Sequence, residues 1–459
     1  MPRVRHLLAP VIAAAVVVGA SSCSLSSDAA DGTTPIVVGY QSKTINTVTA
    51  GTLLRARGDF ERRLAELGKA NGKTYDVRWE DYDTGAPITT GMIAGKIDIG
   101  SMGDYPLLVN GSRANASDST ATSILSITGS SPTGSLNMIV TRPDSPIRSV
   151  SDLRGKRVSA SVGSAGHGTA IAALDRAGIP AGDVDVTNQQ PQIGATALES
   201  GKVDALAQFV AWPGLLVFQH KAKLVYDGAE LGRPTLHGTI ARNSFIKQQP
   251  EVVEAFLKAQ LDATAALVHD PLKAAEQVAE HSGLPAEVVY LYNGPGGTDF
   301  NPAIKPSLTA ALADDLPYLT SIGSFPNPVD LSSFVDDGPL RRAVAATGGD
   351  YRALVDRAGN ESVAVGEVWY GGSRATKTSD DTGVLRLIRS ARNNGTAVKA
   401  AYVTDPVLGT RWFADHAVWL REGDRFQAFT TSDSAEKYRS THPDAAPVTY
   451  DEAVSQVTP

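Results

Sequence analysis

S-D-L-R-G-K-R-V-S-A-S-V-G-S-A-G-H-G-T-A-I-A-A-L-D-R-A-G-I, residues Ser151 to Ile179, is the stretch from which the fold of this 459-residue chain can be read. A charged turn, Asp152 to Lys156, leads into a short β-prone run, Arg157 to Val162. A glycine-rich bend, Gly163 to Gly168, then opens a helical pattern that ends at Gly178. A strand that delivers backbone to a helix N-terminus presents unpaired N–H groups and the positive end of the helix dipole, and glycines let a ligand come close to the main chain. The stretch therefore suits either non-covalent capture of a small anionic molecule or an ordinary βα loop of an α/β domain.

Outward from it, the same alternation continues. Ile36 to Tyr40 reads as a first strand, the polar loop Gln41 to Thr49 follows, and an amphipathic helix runs to about Ala70 before a second strand, Tyr75 to Glu80. Strands alternating with helices at this spacing predict βα units and a mostly parallel sheet. A weak internal repeat is more telling. Ala94-Gly-Lys-Ile-Asp-Ile-Gly100 and Ser200-Gly-Lys-Val-Asp-Ala-Leu206 share small-Gly-Lys-aliphatic-Asp, each after a helical stretch and each before an aromatic-proline pair, Tyr105-Pro106 and Trp212-Pro213. Glycine closes a helix by taking the left-handed cap conformation. Two copies of the unit predict two similar lobes. Leu136 to Thr141 and Leu236 to Ala241, both β-prone and bordered by turn residues, are expected to be the crossover strands between them, forming a hinge on which the lobes close. Helices are expected over Gln249 to His269 and Pro271 to Ser282, then a proline- and glycine-rich section, Leu284 to Asn301, and another helix to about Ile322.

The words D-L-R-G-K, strand, then G-S at a helix start resemble the periplasmic substrate-binding proteins of ATP-binding-cassette importers, in the branch that handles sulfonates, taurine and nitrate. The resemblance extends from about Ile36 to about Ala345. It implies an α/β fold of two lobes joined by hinge strands over 36–347, with lobe 1 at 36–140 and 237–347 and lobe 2 at 141–236. It also implies a small-molecule ligand, permease subunits as partners and a monomer. From Gly348 the character changes, and 348–459 reads as a small α+β C-terminal domain. Its segment Tyr402 to Leu420, continuing to Phe429, Ala435 and Tyr450 to Ala453, is similar to the copper-carrying accessory lipoproteins of nitrous oxide reductase.

Composition bounds the function. Hydrophobic residues make up 42% and charged residues 20% of the chain, and a net charge of −7 offers no basic surface for nucleic acid. Arg3 and Arg5 precede an apolar run, Leu7 to Val18, too short to span a bilayer comfortably, so residues 1–23 read as a signal peptide. Cys23 is the single cysteine. It cannot form an internal disulfide, and it stands after small residues where bacterial lipoproteins are acylated, although Ala20 occupies a position such motifs usually give to leucine. The expectation is a membrane-anchored extracytoplasmic protein with 24–35 as a polar tether; plain secretion is the alternative.

An anion pocket needs converging donors, and charge-assisted hydrogen bonds are about twice as strong as neutral ones. In a doubly wound sheet these donors belong on loops after the strand C-termini. Four loops qualify. The first carries Gln41, Ser42, Lys43, Thr44 and Asn46, where Lys43 is either a counter-charge or merely exposed. The second carries Ser101 and Met102 before Asp104, which is either a helix N-cap or a partner for a ligand ammonium. The third, Gly129 to Ser135, offers Ser130 and Ser131 as a hydroxyl wall or a solvated turn. The fourth is Ser164, Ala165, Gly166, His167 and Gly168; the resemblance implies that the Ser164 hydroxyl and neighbouring N–H groups meet sulfonate-like oxygens. Gln208 and Trp212 are expected across the cleft, with Trp212 either covering the ligand or in the core.

Other chemistries fit less well. Val162 stands where a G-x-S-x-G nucleophile elbow needs glycine, and Gly163 to Gly168 is not G-x-G-x-x-G. Neither H-E-x-x-H nor C-x-x-C occurs, so no metal or cofactor is expected. The methionines Met1, Met92, Met102 and Met138 and the cysteine all lie outside the C-terminal region, which leaves His416 and His442 as its only candidate copper ligands. Two rival readings remain: synthesis or binding of thiamine-precursor pyrimidines on the same fold, and metal handling through the C-terminal domain.

Overall fold

The computed structural model describes residues 32–321, 323, 325–358, 366–372 and 374–458. The expected signal peptide, Cys23 and tether residues 24–31 lie outside them. Two five-stranded sheets form the two lobes. The first has the order β2-β1-β3-β10-β4, from strands β1 (Thr33–Tyr40), β2 (Thr74–Asp81), β3 (Ile99–Gly103), β4 (Thr122–Ser131) and β10 (Thr235–Arg242). The second has the order β7-β6-β8-β5-β9, from β5 (Asn137–Thr141), β6 (Arg157–Ala160), β7 (Asp185–Asn188), β8 (Ala205–Phe209) and β9 (Lys223–Asp227). Within each, four strands run in one direction, and the returning β10 or the entering β5 lies antiparallel between its neighbours.

The two copies of the repeat do the same work in the two lobes. Gly95 and Gly201 both take φ of +70° at the helix end. Asp98 then accepts the Val37 N–H at 2.9 Å, and Asp204 accepts the Arg157 N–H at 3.0 Å. Each aspartate thus sits where its own strand begins to pair with the parallel strand beside it. A carboxylate at a free strand N–H, buried at Asp98 and half-buried at Asp204, satisfies a donor that would otherwise be costly.

Asn137–Thr141 is not a crossover strand. It pairs with both β8 and β9 and is an interior strand of the second sheet. The connections between lobes are the loops 132–136 and 228–234, which pass each other backbone to backbone. A Cβ on Gly228 would lie 2.4 Å from the Gly134 carbonyl oxygen, and Gly134 itself has φ of +99°. Only glycine permits that approach.

Burial of one face of each sheet supplies the cores. Ile36, Val38 and Ala241 pack under Phe60 and Phe256, whose rings meet edge to face at 5.1 Å. Val158, Leu174 and Ala205 fill the second lobe. The section Leu284 to Asn301 is not simply a loop: helix Ala286–Asn293 occupies its first part, with Val288, Val289, Tyr290 and Leu291 buried.

The C-terminal domain has two small antiparallel sheets. One has the order β12-β11-β13-β14, from β11 (Gly366–Gly371), β12 (Arg374–Thr378), β13 (Ala400–Thr404) and β14 (Arg411–Phe413); the other has the order β16-β15-β17, from β15 (Val418–Glu422), β16 (Arg425–Phe429) and β17 (Ala446–Val448). Helix Asp381–Asn393 starts on an Asp380 cap to the Gly383 N–H and buries Val384, Leu385 and Ile388 against them. The domain does not hang free: Trp369, Tyr402, Trp412 and Phe413 share one apolar cluster with Trp212 and Leu216 of lobe 2 and with Tyr290 and Tyr292. His416 lies with its ring 4.8 Å from that of His220, and His442 stacks on Tyr438 at 3.8 Å. Among the described residues no group of three or more His, Cys, Asp or Glu side chains is placed to hold a metal ion, and no helix is long and apolar enough to cross a membrane.

Candidate functional site

The C-terminal ends of β1, β3, β6 and β8 face one another across the lobes. The lobes are in contact there: Ala165 packs in one cluster with Met102 and Tyr105, and a Cβ on Gly168 would fall 2.0 Å from the Tyr105 ring. Beside this contact lies a pocket of about 150 Å³ lined from both lobes, by Thr84, Gly85, Thr89 and Arg113 on one side and Ser161, Gly163, Ser164 and Asn188 on the other. Three helices begin at its wall. Thr84 precedes Gly85–Ile93, Ser164 precedes Ala165–Arg176, and Gln190 precedes Pro191–Glu199. Converging helix N-termini make a positive potential without formal charge, and Arg113 adds a cation at the exposed rim.

Ser164 is the N-cap of its helix and accepts the His167 N–H at 3.3 Å. His167 is buried, its Nδ1 accepts the Gly163 N–H at 3.3 Å, and burial pushes its pKa down to about 4, so the ring is neutral. Gly166 lies against the backbone of Gln208, where a Cβ would be 2.6 Å from Gln208 Cα. Gln208 donates through Nε2 to Ser161 Oγ at 3.0 Å, and Ser161 Oγ donates in turn to the Gln189 carbonyl at 2.8 Å. That chain fixes the amide orientation and leaves Gln208 Oε1 buried without a partner.

The first loop is tied down. Gln41 Nε2 donates to the Ser101 carbonyl at 3.1 Å, and the Ser42 N–H donates to Asp81 at 2.8 Å. Lys43 reaches across to the second lobe, with its carbonyl accepting the Ala211 N–H at 3.2 Å and its ammonium 5.6 Å from the buried Trp212 ring. Ser101 Oγ is buried without a partner.

Three expectations change. Asp104 is the first residue of helix Asp104–Ala114, with Gly103 as the cap. Its carboxyl is fully buried, accepts the Tyr105 N–H of its own first turn at 2.8 Å together with the Thr235 hydroxyl and the Leu236 N–H, and is raised in pKa by that burial; it braces the hinge beside Asp315 from inside the helix and not from the cap position. Met102 is core, packed with Ile88 and Met92. Ser131 holds the hinge turn by accepting the Gly134 and Ser135 N–H groups at 3.2 Å, and Ser130 pairs through its backbone with Asp299.

The structure gives Asn46 of the first loop a partner and adds residues that the sequence did not single out. Asn46 Nδ2 meets His237 Nδ1 at 2.8 Å, and burial pushes the His237 pKa down to about 3. Asn46 Oδ1, Asn137 Oδ1, Thr298 Oγ1 and both polar atoms of the Asn293 side chain are buried without partners, as are Ser101 and Gln208 at the strand ends. Thr298 and Asn46 crowd the same glycine, Gly129. Unpaired buried polar atoms number only a few per hundred residues in folded proteins, so a gathering of them where the lobes meet requires explanation. None of them lines the 150 Å³ pocket; they form a second buried polar set beside it, and a polar solute reaching that set would supply the missing partners.

The chain is similar to several known proteins. Residues 81–274 match a family model described as NMT1/THI5 like. The taurine-binding periplasmic protein of Escherichia coli is 28% identical over 257 residues, spanning 54% of this chain and 76% of that protein. A putative aliphatic sulfonates-binding protein of the same organism is 25% identical over 255 residues, spanning 56% and 74%. Among solved structures, the alkanesulfonate-binding protein SsuA from Xanthomonas axonopodis pv. citri, bound to MOPS, superposes with a TM-score of 0.55 at 21% identity, covering 66% of this chain and 98% of that one. The fold is that of the two-lobe periplasmic binding proteins, with the C-terminal sheets as an addition. These comparisons do not show the copper-lipoprotein likeness of the C-terminal domain.

Proposed function

We propose that the chain is the extracytoplasmic solute-binding component of an ATP-binding-cassette importer. It captures a small organosulfur oxyanion, a sulfonate, taurine or a sulfate ester, between its lobes and presents the closed form to permease subunits. Capture and release involve no covalent chemistry. Cys23 is proposed as the acylated anchor to the membrane. The observation that carries this reading is the pocket lined from both lobes in which three helix N-termini and the Ser164 hydroxyl converge; the names of the similar proteins support the class of solute.

The experiment is a thermal-shift and calorimetric screen against taurine, alkanesulfonates, sulfate esters, nitrate, thiamine-precursor pyrimidines and Cu(I). A solute at about a hundred times its Kd adds about 2.7 kcal/mol of stability. The expected outcome is a shift with one sulfur oxyanion, weakened about tenfold in Ser164→Ala, which removes both a donor and a helix cap. A shift with pyrimidine alone, or copper alone, rejects the proposal in favour of the corresponding rival.

A further inference from the structure

The C-terminal domain grips the turn that follows helix Ala286–Asn293 through one buried ion pair. Arg411, on β14, and Glu367, on β11, are only 4% and 3% exposed at their side chains and meet at 3.0 Å. The guanidinium lies 4.1 Å from the centre of the Tyr402 ring and 5.0 Å from that of Tyr290. Its other arm donates to the Pro295 carbonyl at 3.0 Å, while Glu367 accepts the Tyr290 hydroxyl at 2.9 Å. Both gripped groups flank one turn. Helix Ala286–Asn293 ends there, and the Thr298 N–H closes the turn on the Tyr292 carbonyl at 2.7 Å. The turn carries Asn293 and Thr298, whose buried polar atoms have no protein partner, and it then joins β4 through Asp299 and Ser130.

A buried ion pair of this kind is weak support for stability, because an apolar pair of similar volume is often as stable. A guanidinium fork instead imposes direction: its donors are fixed in a plane and can grip a carboxylate and a carbonyl at once. Since two-thirds of this chain accounts for 98% of the solved alkanesulfonate-binding structure, the grip belongs to the added domain.

We propose that the Arg411–Glu367 pair is a positioning device for solute recognition: by holding the Pro295 carbonyl and the Tyr290 hydroxyl it sets the Asn293–Thr298 turn, and through it the polar groups that the turn offers to the solute. The inference rests on the solute-binding reading. The pair itself does not touch the solute.

The test is calorimetric titration of taurine and a short alkanesulfonate into wild type, Arg411→Lys, Asn293→Ala and the double variant, each checked for folding by circular dichroism. Arg411→Lys and Asn293→Ala are each expected to weaken Kd about tenfold, and the double variant no further than the weaker-binding single, because coupled residues are non-additive. A loss near a hundredfold in the double variant, or an unchanged Kd in folded Arg411→Lys, overturns the proposal. A merely structural role would lower the melting temperature without moving the Kd of the folded protein. If Arg411→Lys does not fold, the apolar pair Arg411→Met with Glu367→Leu takes its place, and wild-type affinity in that variant also overturns it. A wild type that binds neither probe rejects the solute reading and the positioning claim together, whereas a wild type that binds while the variants match it rejects the positioning claim alone.

Discussion

Burial keeps the imidazoles of His167 and His237 neutral, with pKa values pushed down to about 4 and about 3, so neither ring lends charge to a bound anion near neutrality. Solute affinity is therefore expected to be flat between pH 5.5 and 8, and an increase in affinity on acidification with a midpoint near 6.5 in a calorimetric pH series would refute the assignment. The same shifts bear on stability. A histidine whose folded pKa is depressed contributes fully above its unfolded value near 6.5, and that contribution is lost as the pH falls toward 4. At this scale the sequence was legible where a residue's role is local. The sequence placed Ser164 at the start of a helix, and the structure has it there, as the N-cap. It was not legible where the partner comes from elsewhere in the chain. Asp104 accepts from Thr235 and Leu236, more than a hundred residues on, and Thr298 became conspicuous only once Asn46 and Gly129 were found beside it.

Between elements, helix Ala165–Arg176 packs closely on Tyr105 of the other lobe. Gly168→Ala would put a methyl 2.0 Å from the Tyr105 ring, so the variant must either shift the ring or hold the lobes apart. Alanine is favoured over glycine in a helix interior by up to about 1 kcal/mol. The expected outcome is a ligand-free melting temperature close to wild type with solute affinity reduced at least about tenfold; undiminished affinity by calorimetry would show that Tyr105 yields freely. The repeat was the most legible element-scale feature, because a glycine cap followed by an aspartate is local chemistry. Its two aspartates do sit at equivalent points, where β3 and β8 begin to pair with β1 and β6. Strand pairing was not legible: N-M-I-V-T reads as β-prone whether it leaves one sheet or sits inside another, and only the register with β8 and β9 decides.

Across the whole molecule, the C-terminal domain closes over Asp227 at the end of β9. That carboxyl is fully buried, accepts the Ala229 N–H at 3.0 Å and lies by Thr430, and burial pushes its pKa up to about 7; Asp381 within the domain is raised to about 7 for the same reason. An acid raised in the folded state keeps a proton that the unfolded chain gives up. The stability this contributes is complete below the unfolded value of about 4 and is lost as the pH rises to about 7. Melting temperatures measured at pH 6 and pH 8 should therefore fall less in Asp227→Asn than in wild type, and equal falls would exclude a protonated Asp227. The two-lobe plan was readable from periodicity and the repeat, whereas the docking of the third unit was not, since its contacts join aromatic residues far apart in the chain, such as Phe218 with Phe413 and Tyr290 with Trp369. The strand order has one more consequence, for the chain as it is made. Strand β10 lies between β3 and β4, so the first sheet stays split until residue 242 is available, while every strand of the second lies within 137–227. Contacts distant in sequence form slowly and leave edges open. The inserted lobe is expected to acquire its hydrogen-exchange protection first on refolding, with β3 and β4 following together, and simultaneous protection of both sheets in a pulse-labelling experiment would contradict that order.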